Sequence, residues 1–187
     1  MGEAFAAGTH GRGICISYVP SKQSSIDNSN MLGAALLARR AVYTKDHQAL
    51  ELAKEAMTYS CARQNADAAW FYGAAPMYHS TDAFHTGYNL DSLKRHFDST
   101  RDREFEPNLR CGFQYFKDHF FEADRRPKYY HDKVQPIDIQ CAAQAIDTLA
   151  FSSDTESESV ELAAKVALWT TNNMQAQDGH FNYRDLG

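Results

Sequence analysis

Apolar positions along the chain fall into two kinds of helical stretch. Leu50, Ala53, Met57 and Cys61 recur at the spacing of one helix face, and so do Ala163, Val166, Ala167, Thr170 and Met174. Charge occupies much of the remainder (Glu51, Lys54, Glu55; Glu161, Lys165), so both stretches predict amphipathic helices with one wet side. The other kind has almost no polar side. Met31 to Ala38 reads Met-Leu-Gly-Ala-Ala-Leu-Leu-Ala, and Cys141 to Ala150 is broken only by Gln144, Asp147 and Thr148. A helix that is apolar nearly all round packs on more than one side. The pattern predicts inner, doubly buried helices alternating with outer, half-wet ones.

A short phrase returns in phase with this alternation: Asp67-x-x-Trp70-x-Tyr72, Asp124-x-x-Pro127-x-Tyr129 and Asp178-x-x-Phe181-x-Tyr183, with a weaker copy at Gly13, Ile16 and Tyr18. The copies stand roughly 55 residues apart. Asn28, Asp82 and Asp138 follow three of the tyrosines nine or ten residues on, and small residues (Gly33, Gly87, Ala143) stand five further. Fixed-period self-similarity marks stacked copies of one supersecondary unit. Two helices of about 15 to 18 residues and two loops fill such a period. The expectation is an all-α protein, an α/α toroid of helical hairpins over 1–187 as a single domain. The end of a preceding repeat would lie at 1–18, then hairpins at 19–72, 73–129 and 130–187. Three hairpins are about half of a six-hairpin ring. The chain is therefore expected to be part of a longer polypeptide or a subunit that must pair, with apolar flanks exposed.

The bulk properties narrow the function classes. A net charge of −5 lacks the basic footprint of a nucleic-acid binder. No apolar run reaches the ~18 residues of a membrane span, and the opening residues lack a signal-peptide pattern. Cys15, Cys61, Cys111 and Cys141 are far apart, with no C-x-x-C pair. That spacing argues against a disulfide framework and for a cytoplasmic setting. His79 and His85 stand at the wrong spacing for two ligands on one helix face, and neither a metal nor a cofactor is expected.

In a toroid, the loops that enter the inner helices converge at one mouth of the ring. The repeat places Tyr18, Asn28 and Asn30 there from the first hairpin, Trp70, Tyr72, Asp82 and His85 from the second, and Tyr129, Tyr130, His131, Asp138, Gln140 and Gln144 from the third. Aromatic plates, carboxylates, amides and imidazoles suit a sugar, whose ring offers C–H faces for stacking and hydroxyls for hydrogen bonds. Asp82 and Asp138 are the candidate acid and base, with His85 and His131 as a second proton-transfer pair. Asp82 and Asp138 equally suit helix capping. Arg126 and Lys128, in the basic run Arg125 to His131, suit an anionic group on the sugar or a solvated loop.

Gln64-x-x-Asp67-x-x-Trp70 and Gln175-x-x-Asp178-Gly179-x-Phe181 resemble the Gln/Trp repeat of squalene cyclases, where these residues lock neighbouring hairpins. That similarity opens a terpenoid cyclase or prenyltransferase reading, although no D-x-D-D motif accompanies it. Asn28-x-Asn30-x-x-Gly33, Asp82-x-Phe84-His85-Thr86-Gly87 and Pro127 to His131 followed by Pro136-Ile137-Asp138-Ile139-Gln140 resemble a bacterial toroid family associated with polysaccharide biosynthesis. At fold level the resemblance extends to six-hairpin glycosidases, sugar 2-epimerases and polysaccharide lyases. It implies a carbohydrate ligand and hydrolysis, elimination or epimerisation; the other outcome is a non-catalytic glycan- or partner-binding scaffold.

Overall fold

Among the described residues six α-helices follow one another in pairs: α1 (Asp27–Thr44) with α2 (His47–Cys61), α3 (Ala83–Thr100) with α4 (Glu106–His119), and α5 (Ile139–Phe151) with α6 (Ser159–Met174). The computed structural model describes residues 13–19, 21 and 24–187. The preceding repeat expected at 1–18 lies largely outside them. Among the described residues strand is limited to the two-residue antiparallel pair β1 (Ile137–Asp138) and β2 (Arg184–Asp185) and to isolated bridges.

Local chemistry sets the helix ends. Lys45 turns into the left-handed region (φ 56°), and its N–H returns to the carbonyl of Ala41, ending α1. Asp46 then accepts the N–H of Ala49 at 3.0 Å and starts α2. Between them α1 buries Met31, Ala34, Ala35, Ala38 and Ala41, small side chains that admit a close neighbour, and α2 buries Ala53, Ala56 and Met57. The stripe read in α6 is also the buried one: Ala163, Val166, Thr170 and Met174.

Each hairpin is closed by the same backbone clasp. The motif tyrosine's carbonyl accepts the first N–H of the helix that opened the hairpin: Asp27 N–H to Tyr72 (3.2 Å), Ala83 N–H to Tyr129 (2.8 Å) and Ile139 N–H to Tyr183 (3.1 Å). Alongside these bonds, Ile26 bridges Gly73, Asp82 bridges Tyr130 and Asp138 pairs with Arg184. The structure thereby corrects the sequence register. The counterpart of Asp82 and Asp138 in the first hairpin is Ile26, and Asn28 is the second residue of α1. Ile26 has no side-chain acceptor, so α1 starts on the backbone clasp alone.

The repeated aspartates also have a common role. Asn65, Glu122 and Ala176 donate four residues ahead to Ala69, Arg126 and His180, and Ala68, Arg125 and Gly179 donate back to them. This makes three equivalent tight turns whose last residue has positive φ: Ala68 and Arg125 at 72°, Gly179 at 96°. Asp67, Asp124 and Asp178 accept the N–H two residues on (3.0, 3.1 and 3.3 Å), holding each turn.

Contacts group the described residues into two compact units, one reaching to Ser80 and including Tyr88–Phe113, the other comprising Thr81–Gly87 and Gln114–Gly187. Met31, Met57, Trp70 and Leu90 centre the first core; Phe116, Phe120, Ile137 and Leu149 centre the second.

Candidate functional site

In the first unit, most of the candidate binding residues serve the fold. Asn30 is fully buried; its Oδ1 accepts the N–H of Ile16 (2.8 Å), and its Nδ2 donates to the carbonyl of Ala56 (2.6 Å) and to Ser60 (2.9 Å). Trp70 is 1% exposed, donates from Nε1 to the Ser60 carbonyl, and lies so close to Gly112 that a Cβ there would come within 2.6 Å of its ring. It has no face for a sugar. Its place in the motif is to pack the turn on α4, where Asn108 and Gln64 exchange hydrogen bonds (2.7 and 3.1 Å). Tyr18 is exposed, Asn28 is half-buried with Oδ1 unpartnered, and Tyr72 stands half-buried with its ring edge-on to Tyr78.

The second unit gathers the chemistry at its two clasps. Asp82, directly before α3, is 5% exposed and accepts the backbone N–H of His85 (2.9 Å). It also faces Nδ1 of His85 with both oxygens, at 2.9 and 2.8 Å. A carboxylate only accepts, so Nδ1 carries a proton and donates it to Asp82. The imidazole is a quarter exposed, against an almost fully buried partner. Asp138, directly before α5, accepts the N–H of Gln140 (2.8 Å). Its Oδ2 takes two hydrogen bonds from Arg184, from Nε at 3.0 Å and Nη2 at 2.7 Å. The same guanidinium lies over the rings of Tyr183 (5.0 Å) and Tyr129 (5.6 Å). Each acid therefore has a basic partner and a helix N-terminus, rather than the other acid.

Between the two clasps sit Tyr129 and Cys141. Burial, then the charge of Asp82 and, more weakly, of Asp138 push the Tyr129 phenol up to about 12. Burial and the same two carboxylates also raise the Cys141 thiol. Both acids are thus near this tyrosine, which stays a neutral hydrogen donor across the physiological range. Tyr130 tilts against Tyr129 (4.6 Å), with the Lys133 ammonium 4.4 Å from its centroid.

The remaining candidates are tied elsewhere or peripheral. Lys128 donates to the His131 carbonyl (2.9 Å) and pairs with Glu122, and Arg126 pairs with Asp124 over the Trp169 ring. Neither basic chain is a loose loop charge. His131 is half-buried, its Nδ1 unpartnered, with its ring edge toward Tyr115. Gln144 is buried, donates to Thr148 (3.0 Å) and touches Gly87, while Gln140 is exposed. Among the described residues no group of three or more His, Cys, Asp and Glu could hold a metal ion, and no helix is long and apolar enough to cross a membrane.

Sequence reasoning missed Arg184. Its signal lay in the repeat: after the motif tyrosine the other copies carry Gly73 and Tyr130, so nothing in the clasp demands arginine.

No known protein family's profile matches the chain, and no curated protein matches it by sequence. Solved structures do match its fold. An unsaturated glucuronyl hydrolase specific for heparin superposes with a TM-score of 0.69 at 12% identity over 89% of this chain and 52% of its own. A family 76 glycoside hydrolase from Bacteroides thetaiotaomicron gives 0.73 at 10% identity over 95% and 42%. Cellobiose 2-epimerase from Bacillus thermoamylovorans gives 0.70 at 11% over 87% and 48%. The chain thus spans about half the length of these structures. All are of the six-hairpin fold, and this chain has the α/α-toroid fold of helical hairpins that they share.

Proposed function

We propose that the chain is a carbohydrate-active protein of an enzyme type, and that His85 abstracts a proton from a sugar carbon in an elimination or epimerisation. The observation that carries this reading is the Asp82–His85 pair. A buried carboxylate fixes the tautomer and orientation of a partly exposed ring, and its charge stabilises the imidazolium that proton abstraction creates. Tyr129, held protonated, supplies the complementary hydrogen donor. Tyr130, Tyr183 and the Arg184 guanidinium offer stacking and hydrogen-bonding surface beside it.

Hydrolysis by two carboxylates fits less well. That chemistry needs one carboxyl protonated as donor, whereas Asp138 sits under a guanidinium and Asp82 faces an imidazole N–H. Asp138 is better placed to orient Arg184 than to give a proton. The matched structures include carbohydrate enzymes of both hydrolase and epimerase kind. The Gln/Trp motif serves the turns and their packing, a role that does not separate the terpenoid alternative from a sugar enzyme.

The test is proton exchange. The protein is incubated in D2O with neutral and acidic oligosaccharides, and deuterium incorporation into ring C–H positions is followed by NMR. His85→Gln should lower exchange by about 100-fold or more, with binding retained. Bond cleavage without carbon exchange would instead support a hydrolase. Binding without either reaction would support the second reading, a glycan-binding scaffold in polysaccharide assembly, to which capping by Asp82 and Asp138 lends itself.

A further inference from the structure

The clasps of the second unit arrange charge in layers. The carboxylates lie inside: Asp82 and Asp138 are buried, each accepting an N–H of the helix that it starts. The cations lie outside them, against aromatic rings. Lys133 is exposed, makes no ion pair among the described residues, and holds its ammonium 4.4 Å from the Tyr130 centroid. Tyr130 tilts on Tyr129 at 4.6 Å, and the Arg184 guanidinium follows at 5.6 Å. Two half-buried tyrosines thus have a cation at either end. A ring attracts a cation without neutralising it. Arg184 uses Nε and Nη2 on a single oxygen of Asp138, which leaves its Nη1 edge for another acceptor.

Backbone bonds bring the two tyrosines to the Asp82–His85 pair. Tyr129 accepts the N–H of Ala83 (2.8 Å), Asp82 bridges Tyr130, and His131 donates to the Thr81 carbonyl at 3.4 Å. The chemistry asked of His85 then selects the anion. A proton leaves a sugar carbon only where the electron pair left behind can spread into an adjacent C=O bond. A hexuronate offers this at C5, next to its carboxylate, provided that a cation balances the charge building up there. Phosphate and sulfate esters also attract cations, but neither acidifies a ring carbon in this way.

We infer that the ligand is a glycan containing hexuronates, that Lys133 and Arg184 pair with its carboxylates from the two ends of the tyrosine pair, and that His85 removes a C5 hydrogen, a step that rests on the proton abstraction proposed for His85. The C5–H bond breaks, its proton passes to His85, and its electron pair enters the carboxylate as an enediolate balanced by the bound cation. Asp82 holds the resulting imidazolium. In epimerisation a solvent-derived proton returns to C5 from the opposite face. In elimination the pair forms a C4=C5 double bond, and the O4 substituent leaves with the C4–O electrons and takes up a proton from solvent.

The whole chain is tested with short oligosaccharides of polygalacturonate, alginate and hyaluronate, each beside its neutral, carboxyl-reduced counterpart. One acidic series should bind about tenfold tighter than its reduced form, and the difference should shrink as salt is raised. In D2O that series should gain deuterium at C5 or yield the C4=C5 product, both read by NMR, and its reduced form should do neither. Lys133→Gln and Arg184→Gln should each weaken the acidic series by about tenfold and the reduced series far less, while Lys133→Arg keeps acidic binding. Lys133 is exposed, so circular dichroism of its variants should match the parent. Equal binding of acidic and reduced chains in all three series overturns the inference, as does acidic binding that ignores both substitutions. Deuterium at a ring carbon of a reduced chain also overturns it, while sparing the proton abstraction by His85. Charge-selective, Lys133-dependent binding with neither exchange nor elimination keeps the carboxylate site and overturns the step given to His85.

Discussion

Asp27 opens α1 with its carboxylate 2% exposed, and its surroundings are a closed polar network. Ser60 donates to it (2.9 Å), Asn30 donates to Ser60, and Arg63 reaches it only weakly, at 3.3 and 3.4 Å from Nε. Burial dominates, and the carboxyl is raised from 3.8 to about 6 despite these partners. The folded state therefore holds a proton that the unfolded chain releases between those values. Its contribution to stability is full below about pH 4 and is lost as pH rises through about 6, by roughly 3 kcal/mol. Asp27→Asn keeps the shape and removes the titration. In urea titrations, the stability of the parent relative to this variant should fall by that amount from pH 4 to pH 7. A flat or rising difference would show Arg63 compensating the charge in full. Asp27 was not legible in the sequence, because the repeat aligned Asn28 with Asp82. Only the clasp, a backbone feature, reveals that α1 starts at Asp27.

The three equivalent turns allow a comparison that needs no outside reference. All end in a positive-φ residue, but only the third uses glycine there. A side chain in the left-handed region costs about 1–2 kcal/mol, and glycine's greater freedom in the unfolded chain offsets part of that. Arg125→Gly should thus stabilise by up to about 1 kcal/mol. Gly179→Ala should destabilise by about 1 kcal/mol, and for backbone reasons alone, since a Cβ at Gly179 meets nothing within 4 Å. Thermal melts of the two variants should shift in opposite directions; shifts of the same sign would mean the turns are not equivalent. These turns were the most legible part of the sequence, because the Asp and the aromatic recur at fixed spacing. Their use was legible too: the structure places Gln64, Asp67 and Trp70 in turn and packing, as the Gln/Trp resemblance implied. Trp70 as a sugar platform was the misreading. Spacing puts it beside Tyr72, but the indole turns inward onto Gly112 of α4.

Three hairpins closed in one way make a molecule whose stability should approximate a sum over hairpins and their nearest neighbours. What distinguishes the hairpins is the pair of side chains at the clasp: Ile26 with Gly73, Asp82 with Tyr130, Asp138 with Arg184. Periodicity exposes what is common and hides such singular substitutions, which is why the toroid was legible and Arg184 was not. Removing residues 176–187 deletes the Tyr183 carbonyl that takes the first N–H of α5 and the guanidinium on Asp138. Amides of α5 and α6 should then exchange at least tenfold faster, while those of α1 and α2, clasped by Tyr72, keep their rates. Arg184→Gln in the intact chain retains the backbone clasp and should loosen only the first turn of α5. Hydrogen exchange read by mass spectrometry separates the outcomes. If the truncation speeds α1 and α2 as much as α5 and α6, the chain unfolds as one cooperative body and the additive description fails. If α5 and α6 keep their protection, packing holds the third hairpin and the clasp merely decorates it.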